Sequence, residues 1–154
     1  MKYLVNWRNT LTNRFLARPF NSLNAEQLAE RLALSGRKLE RTLTSAADTP
    51  ANRRLVSHIV GIERWGQSRL RVALGAPLVR DEYDSYRPPR DADWPALQAA
   101  FAATRDETVA LTRQLAAPLT QEVAVLHNQF GPLRLRAWLR YLDMHASWEA
   151  KKLR

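Results

Sequence analysis

The chain contains no cysteine. That excludes disulfide scaffolds, zinc knuckles, iron–sulfur ligation and any thiol nucleophile supplied by the protein itself. It also lacks an uninterrupted apolar run approaching the roughly 20 residues that a membrane span needs. The first 20 residues carry Lys2, Arg8, Arg14 and Arg18 but no continuous apolar stretch of signal-peptide type, so a cytoplasmic location is expected. Acidic residues are in deficit. Lys and Arg total 24 against 15 Asp and Glu, giving a net charge of +9. Twenty of those cations are Arg, scattered from Arg8 to Arg154 instead of gathered on one element. A basic solvated surface accounts for that scatter better than a nucleic-acid interface, which needs clustering and aromatics placed to stack. Strand-like alternation is nearly absent, and no internal repeat or low-complexity segment is visible.

What remains is a chain of 154 residues, 45% hydrophobic and 25% charged, long enough for a single domain with a sizeable core. Helical spacing recurs four times. A first long helix is predicted from Asn24, which stands at capping-box spacing from Gln27, with the stripe Leu28, Leu32, Ser35, Leu39, Thr42/Leu43 and Ala46. A second opens with Thr49 as N-cap and Pro50 at the first helical position, and carries Leu55, His58/Ile59, Ile62, Trp65 and Val72 as far as Gly75. Residues 76–92 read as a charged, proline-containing surface loop, with a lid over the open end of the helices as the alternative.

The third helix begins at Asp93–Pro95, buries Leu97, Ala100/Phe101, Thr104, Thr108, Leu111 and Leu115, and is closed by Pro118. An irregular or short extended stretch from Val123 to Phe130 leads through Gly131–Pro132 into the fourth. That last helix carries Leu135, Trp138/Leu139, Leu142, His145 and Trp148/Glu149. Four amphipathic helices must bury their stripes against one another, so the expected fold is all-α, a four-helix bundle over residues 21–154. Residues 1–20 form a separate amphipathic basic segment with Leu4, Trp7, Leu11 and Phe15 on one face. A strap over the domain or across a dimer is favoured there over a membrane-surface role.

Two of the three histidines fall on these stripes. His58 shares a face with Leu55, Ile62 and Trp65. His145 continues the face of Leu135, Trp138 and Leu142, and Glu149 follows it by one helical turn. Where the second and fourth helices are neighbours, two imidazoles and a carboxylate meet between them, which is how helix bundles build metal sites. Burying such groups unpartnered is costly, and one divalent ion satisfies all three. Three protein ligands leave coordination positions open, as catalytic sites do, and the set suits zinc, nickel or iron(II). The residues alone leave a second reading open: core histidines bonded to backbone or a neighbouring acid, and a solvated Glu149. His127, before the Gly-Pro turn, reads as a loop histidine satisfying local backbone groups in preference to a donor behind the metal ligands.

Three segments carry a resemblance. Ser57-His58-Ile59-Val60-Gly61-Ile62-Glu63-Arg64-Trp65, Arg69-Leu70-Arg71-Val72-Ala73-Leu74-Gly75, and His127-Asn128-Gln129-Phe130-Gly131-Pro132-Leu133 running into Trp138 to His145 resemble the DinB-like superfamily. That superfamily holds DNA-damage-inducible proteins, YfiT-like proteins and metal-dependent thiol transferases. The resemblance spans residues 24–154 and implies a four-helix bundle, commonly dimeric, holding a divalent metal through three histidines. One ligand comes from the second helix and two, four residues apart, from the last. They map to His58, His145 and Glu149, the last standing where the pattern has histidine. Either a two-histidine, one-carboxylate site or loss of the metal follows from that departure.

The function this implies is metal-dependent transfer, activating a low-molecular-weight thiol or water towards a small electrophile in stress or detoxification. With no cysteine in the chain, such a thiol has to arrive from outside. The alternatives are a non-catalytic bundle with a degenerate site, binding DNA or an acidic partner through its basic surface, and a small-ligand carrier or sensor.

Overall fold

The computed structural model describes the backbone from residue 7 and side chains from residue 10, through to residue 154. The chain is mostly helical. Six α-helices and one small hairpin are present among the described residues: α1 (Trp7–Ala17), α2 (Ala25–Ser45), α3 (Pro50–Val72), α4 (Trp94–Gln114), α5 (Ala116–Thr120) and α6 (Leu135–Ala150), with β1 (Ala124–His127) and β2 (Gly131–Arg134) between α5 and α6.

The helix starts follow local side-chain chemistry. Asn24 Oδ1 accepts from the Gln27 amide at 2.9 Å while Gln27 Oε1 accepts from the Asn24 amide at 2.9 Å, so two amides with no intrahelical partner are satisfied at once. Thr49 Oγ1 accepts from the Asn52 amide at 3.1 Å ahead of Pro50, and Asp93 Oδ1 accepts from the Ala96 amide at 2.9 Å ahead of Pro95. At the other end of α3, Gly75 takes φ +103°, a left-handed conformation suited to stopping a helix.

The long helices α2, α3, α4 and α6 pack on one another, α4 lying against α2 and α3, and α6 against α3 and α2. Leu28, Leu32, Leu39 and Leu43 of α2 are buried, as are Val56, Ile59, Ile62 and Trp65 of α3, Leu97, Phe101 and Leu111 of α4, and Leu135, Trp138 and Leu142 of α6. Gly66 lets Leu142 rest directly on α3, in space that a Cβ would occupy. No helix among the described residues is long and apolar enough to cross a membrane.

Several expectations are corrected. Pro118 does not close the third long helix. That helix ends at Gln114, and Pro118 sits inside the short α5. Of the two forms expected for Val123 to Phe130, the short extended one is present: Ala124 to His127 pair antiparallel with Gly131 to Arg134, and Trp138 Nε1 donates to the Val125 carbonyl at 2.9 Å, tying the hairpin to α6. Trp148 leaves the buried stripe and is 61% exposed, the last turn of α6 being buried through Ala146 and Ala150 instead.

The N-terminal segment packs through a different face from the one its apolar residues suggest. Leu4 and the Trp7 side chain lie outside the described residues, while Leu11 and Phe15 are 57% and 81% exposed. Inward contact is made instead by Ala17, Leu16 and Asn13, whose side-chain amide donates to the Pro132 carbonyl at 2.9 Å and accepts from the Arg134 amide at 2.7 Å.

Candidate metal centre

His58 sits in the third turn of α3 and His145 in the third turn of α6, and the α3–α6 packing brings them face to face. Their Nε2 atoms stand 3.2 Å apart. Glu149, one turn beyond His145, completes a set in which one ligand atom from each residue lies within 4.8 Å of the others. All three residues are half-buried. Sequence spacing placed these three together, and the structure does so.

The electrostatics leave both rings neutral at ordinary pH. Burial, reinforced by the Arg87 charge, lowers the pKa of His58, and burial together with the neighbouring His58 lowers that of His145 to about 4. Glu149 is pulled both ways. Burial is the largest single influence and pushes its pKa upward, but the Lys152 hydrogen bonds at 2.7 and 2.9 Å, the Lys152 charge and the neighbouring His145 and His58 together hold the carboxyl below its usual range. The resulting donor set is two imidazole nitrogens carrying lone pairs and one ionised carboxylate.

That set fits a divalent cation. Nitrogens bonded to zinc at about 2.0–2.1 Å in tetrahedral geometry stand about 3.3 Å apart, close to the separation of the two Nε2 atoms. Both Nε2 atoms then need their ring protons on Nδ1, whereas the 3.2 Å pair without a cation shares a proton between them. Glu149 has only an exposed Lys152 to release before it can turn inward.

The loop between α3 and α4 forms a roof over His58. Tyr83 opens a single 3-10 turn, Tyr83–Tyr86, and the His58 and Tyr83 ring centroids lie 5.0 Å apart in an edge-on arrangement. Gly61 permits this closeness, since a Cβ there would stand 2.8 Å from Arg87 Cγ and 3.2 Å from the Tyr83 carbonyl oxygen. Asp81 pins the roof in place. It accepts from Tyr86 Oη at 2.6 Å and from the buried Arg69 at 3.2 Å, while its carbonyl accepts from Trp65 Nε1 at 3.2 Å and Asn128 Nδ2 at 2.9 Å. The charged loop of the sequence is thus a fixed cover, held by at least four hydrogen bonds.

His127 does not join the cluster. It is buried at the end of β1 among Trp65, Phe130, Trp138 and Tyr141, and its Nδ1 accepts from the Gln129 and Phe130 amides at 3.1 and 3.3 Å. Local backbone groups are indeed what it satisfies. Its Nε2–H has no hydrogen-bond partner among the described residues and is enclosed by aromatic rings, including the edge-on Trp65 and Tyr141. Burial, with the Arg69 charge, lowers its pKa to about 4.

A second polar constellation was not expected. Arg105 of α4 donates from Nε and Nη2 to the two carboxylate oxygens of Glu63 at 2.6 and 3.0 Å, with both side chains almost fully buried. Thr108 Oγ1 donates to the same carboxylate at 2.9 Å, Arg105 Nη1 donates to the Leu32 carbonyl at 3.3 Å, and Asp143 lies 3.6 Å from that Nη1. Gln67 adds bonds to the Thr104 carbonyl at 2.7 Å and to Thr108 Oγ1 at 3.1 Å. Burial opposes the Arg105 charge, but Glu63 and Asp143 outweigh it and hold its pKa above the ordinary value. The signal for this network was the pair Thr104 and Thr108 on an otherwise apolar stripe, since buried hydroxyls require partners.

Searches against protein-family models, curated proteins and solved structures found no match to this chain.

Proposed function

We propose that this chain is a DinB-like four-helix bundle whose His58, His145 and Glu149 hold one divalent cation and serve metal-dependent transfer to a small electrophile. The observation that carries the reading is the 3.2 Å approach of two neutral imidazole nitrogens from different helices, with an ionised carboxylate beside them. When bound there, a divalent cation supplies Lewis acidity that lowers the pKa of a small thiol or of water. His58 and His145 contribute neutral donors and Glu149 one negative charge, leaving coordination positions for the nucleophile. Tyr83 and the pinned loop above His58 limit the entry of water from that side. The thiol has to be an exogenous one, because the chain has no cysteine. A homodimer fits the same reading, with the exposed Leu11, Phe15 and Trp148 as apolar side chains available to a second copy.

The test is the metal content of protein purified without chelator or nickel affinity, compared with His145→Ala and Glu149→Ala. About one equivalent in the parent protein and none in the His145 variant is the expected result, following three-ligand stoichiometry. No metal in any form, after exposure to zinc, nickel and iron(II) in turn, overturns the reading. The basic-surface binding protein then becomes the better account, and its mark is DNA affinity that falls steeply with salt.

A further inference from the structure

Beside the centre, between the start of α3 and residues 84–92, lies a cleft of about 1080 Å³. That is at the upper end of the size range for small-molecule sites. Four arginines line it, Arg53, Arg54, Arg87 and Arg90, against two aspartates, Asp48 and Asp84. Each aspartate is already engaged: Asp48 takes two bonds from Arg53, at 2.6 and 2.7 Å, and Asp84 takes one from Arg87 Nε at 2.9 Å. Arg54 and Arg90 have no carboxylate or hydrogen-bond partner among the described residues. Two arginines therefore line a concave space without an ion pair of their own among the described residues. The N-terminus of α3, a 23-residue helix opening at Pro50 on the same wall, adds its positive dipole end.

The cleft and the histidine cluster share a border. Ser57, on the cleft wall, immediately precedes His58. Arg87 lies on the same wall, and its guanidinium carbon stands 5.1 Å above the Tyr83 ring that packs on His58.

We propose that this cleft binds a small molecule bearing two or more acidic groups, carboxylates or phosphates, with Arg54 and Arg90 as its primary partners. Guanidinium forks match either acid in two-point geometry. A nucleic acid is disfavoured because no aromatic side chain among the described residues lines the cleft to stack on a base. That the anion belongs to the thiol or electrophile used at the centre rests on the metal-site reading; the anion site itself does not.

The experiment is calorimetric titration of the intact protein with pyrophosphate and, separately, with tricarballylate, at low ionic strength, with and without added zinc. Arg54→Gln/Arg90→Gln is compared with Arg37→Gln/Arg41→Gln, which removes the same charge from the exposed face of α2. Thermal melting checks that both variants fold. Saturable binding of either probe that weakens at least tenfold in the first variant and stays within twofold in the second is expected. The stronger probe identifies the acid class. Equal weakening in both variants, or no saturable binding of either probe, overturns the proposal. Tighter binding of a short DNA duplex, lost on the same cleft substitutions, overturns it in favour of a nucleic-acid site. His145→Ala retains anion binding on this account, so a failed metal site and a failed anion site give different results.

Discussion

Two polar clusters lie among the same helices, and their contrast separates what holds the protein together from what is left for chemistry. Around Arg105 every strong charge meets its complement: Glu63 takes two guanidinium bonds and a hydroxyl bond, and Asp143 balances the remaining side. Around His58 and His145 each neutral ring offers one acceptor nitrogen beside the Glu149 carboxylate, whose ion-pair partner, Lys152, is 64% exposed at the side chain. Closed sets of buried charge fix the relative placement of helices. A set of convergent donors with a weakly held counter-charge is a ligand sphere for a cation.

The sharpest way to break the comparison is to remove the centre of the closed set. Arg105→Ala leaves the Glu63 carboxylate buried and unpaired and is expected to cost about 3–5 kcal/mol in urea denaturation. Alanine at His145, which lines an open set, changes the same measurement far less.

Acid bears next on His127, which belongs to neither cluster. The folded pKa of His127 is near 4, below the unfolded value of about 6.5, so its contribution is complete above pH 6.5 and is lost as pH falls towards 4. His58 and His145 are lowered as well and act in the same direction, whereas Arg105 keeps its charge throughout. Denaturation midpoints followed from pH 7 to pH 4 in parent and His127→Gln proteins isolate the His127 share, about 2–3 kcal/mol across that window. Parallel curves for the two proteins would contradict this.

A smaller effect is expected where backbone makes room for the closed set. A Cβ at Gly36 would stand 2.5 Å from Arg105 Cγ, so Gly36→Ala displaces a side chain held at its tip by Glu63 and is expected to cost about 1–3 kcal/mol. The thermal midpoint of that variant, set against an alanine at exposed Gly75, tests the packing account. Gly75 also carries φ +103°, so its own loss reports backbone strain without crowding.

The smallest effect falls on the open set. Lys152→Ala removes an exposed ion pair worth about 0–1 kcal/mol in stability, yet it frees Glu149 and is expected to tighten zinc binding a few-fold. Competition with a chromophoric chelator measures it; unchanged affinity would show that Glu149 is not a ligand.

Much of this organisation was legible from spacing and end chemistry. Asn24 with Gln27, Thr49 with Pro50, and Asp93 with Pro95 marked the helix starts because caps act within one turn of chain. His58, His145 and Glu149 were legible because a helical period fixes which side chains share a face. The hairpin was not: with four residues in each strand there is too little alternation to stand out, and it is tied down by Trp138 of α6 donating to the Val125 carbonyl. Glu63 and Arg105 were invisible for a different reason. Charged residues on a helix ordinarily mark the solvated side, and only their pairing across 42 residues of chain reverses that reading. Leu11 and Phe15 misled because α1 is held by the Asn13 side-chain amide bonding to the β2 backbone, which apolar periodicity does not register.

Gly61 sets the height of the space above His58. The 3-10 turn lies flush on α3 only because no side chain projects from that position, so the clearance under Tyr83 is fixed by the absence of a single carbon atom. Bulk added at Gly61 lifts the roof without touching any donor nitrogen or oxygen. On the proposed function, tolerance for larger substrates is therefore tuned at one helical position while the three proposed ligands stay where they are.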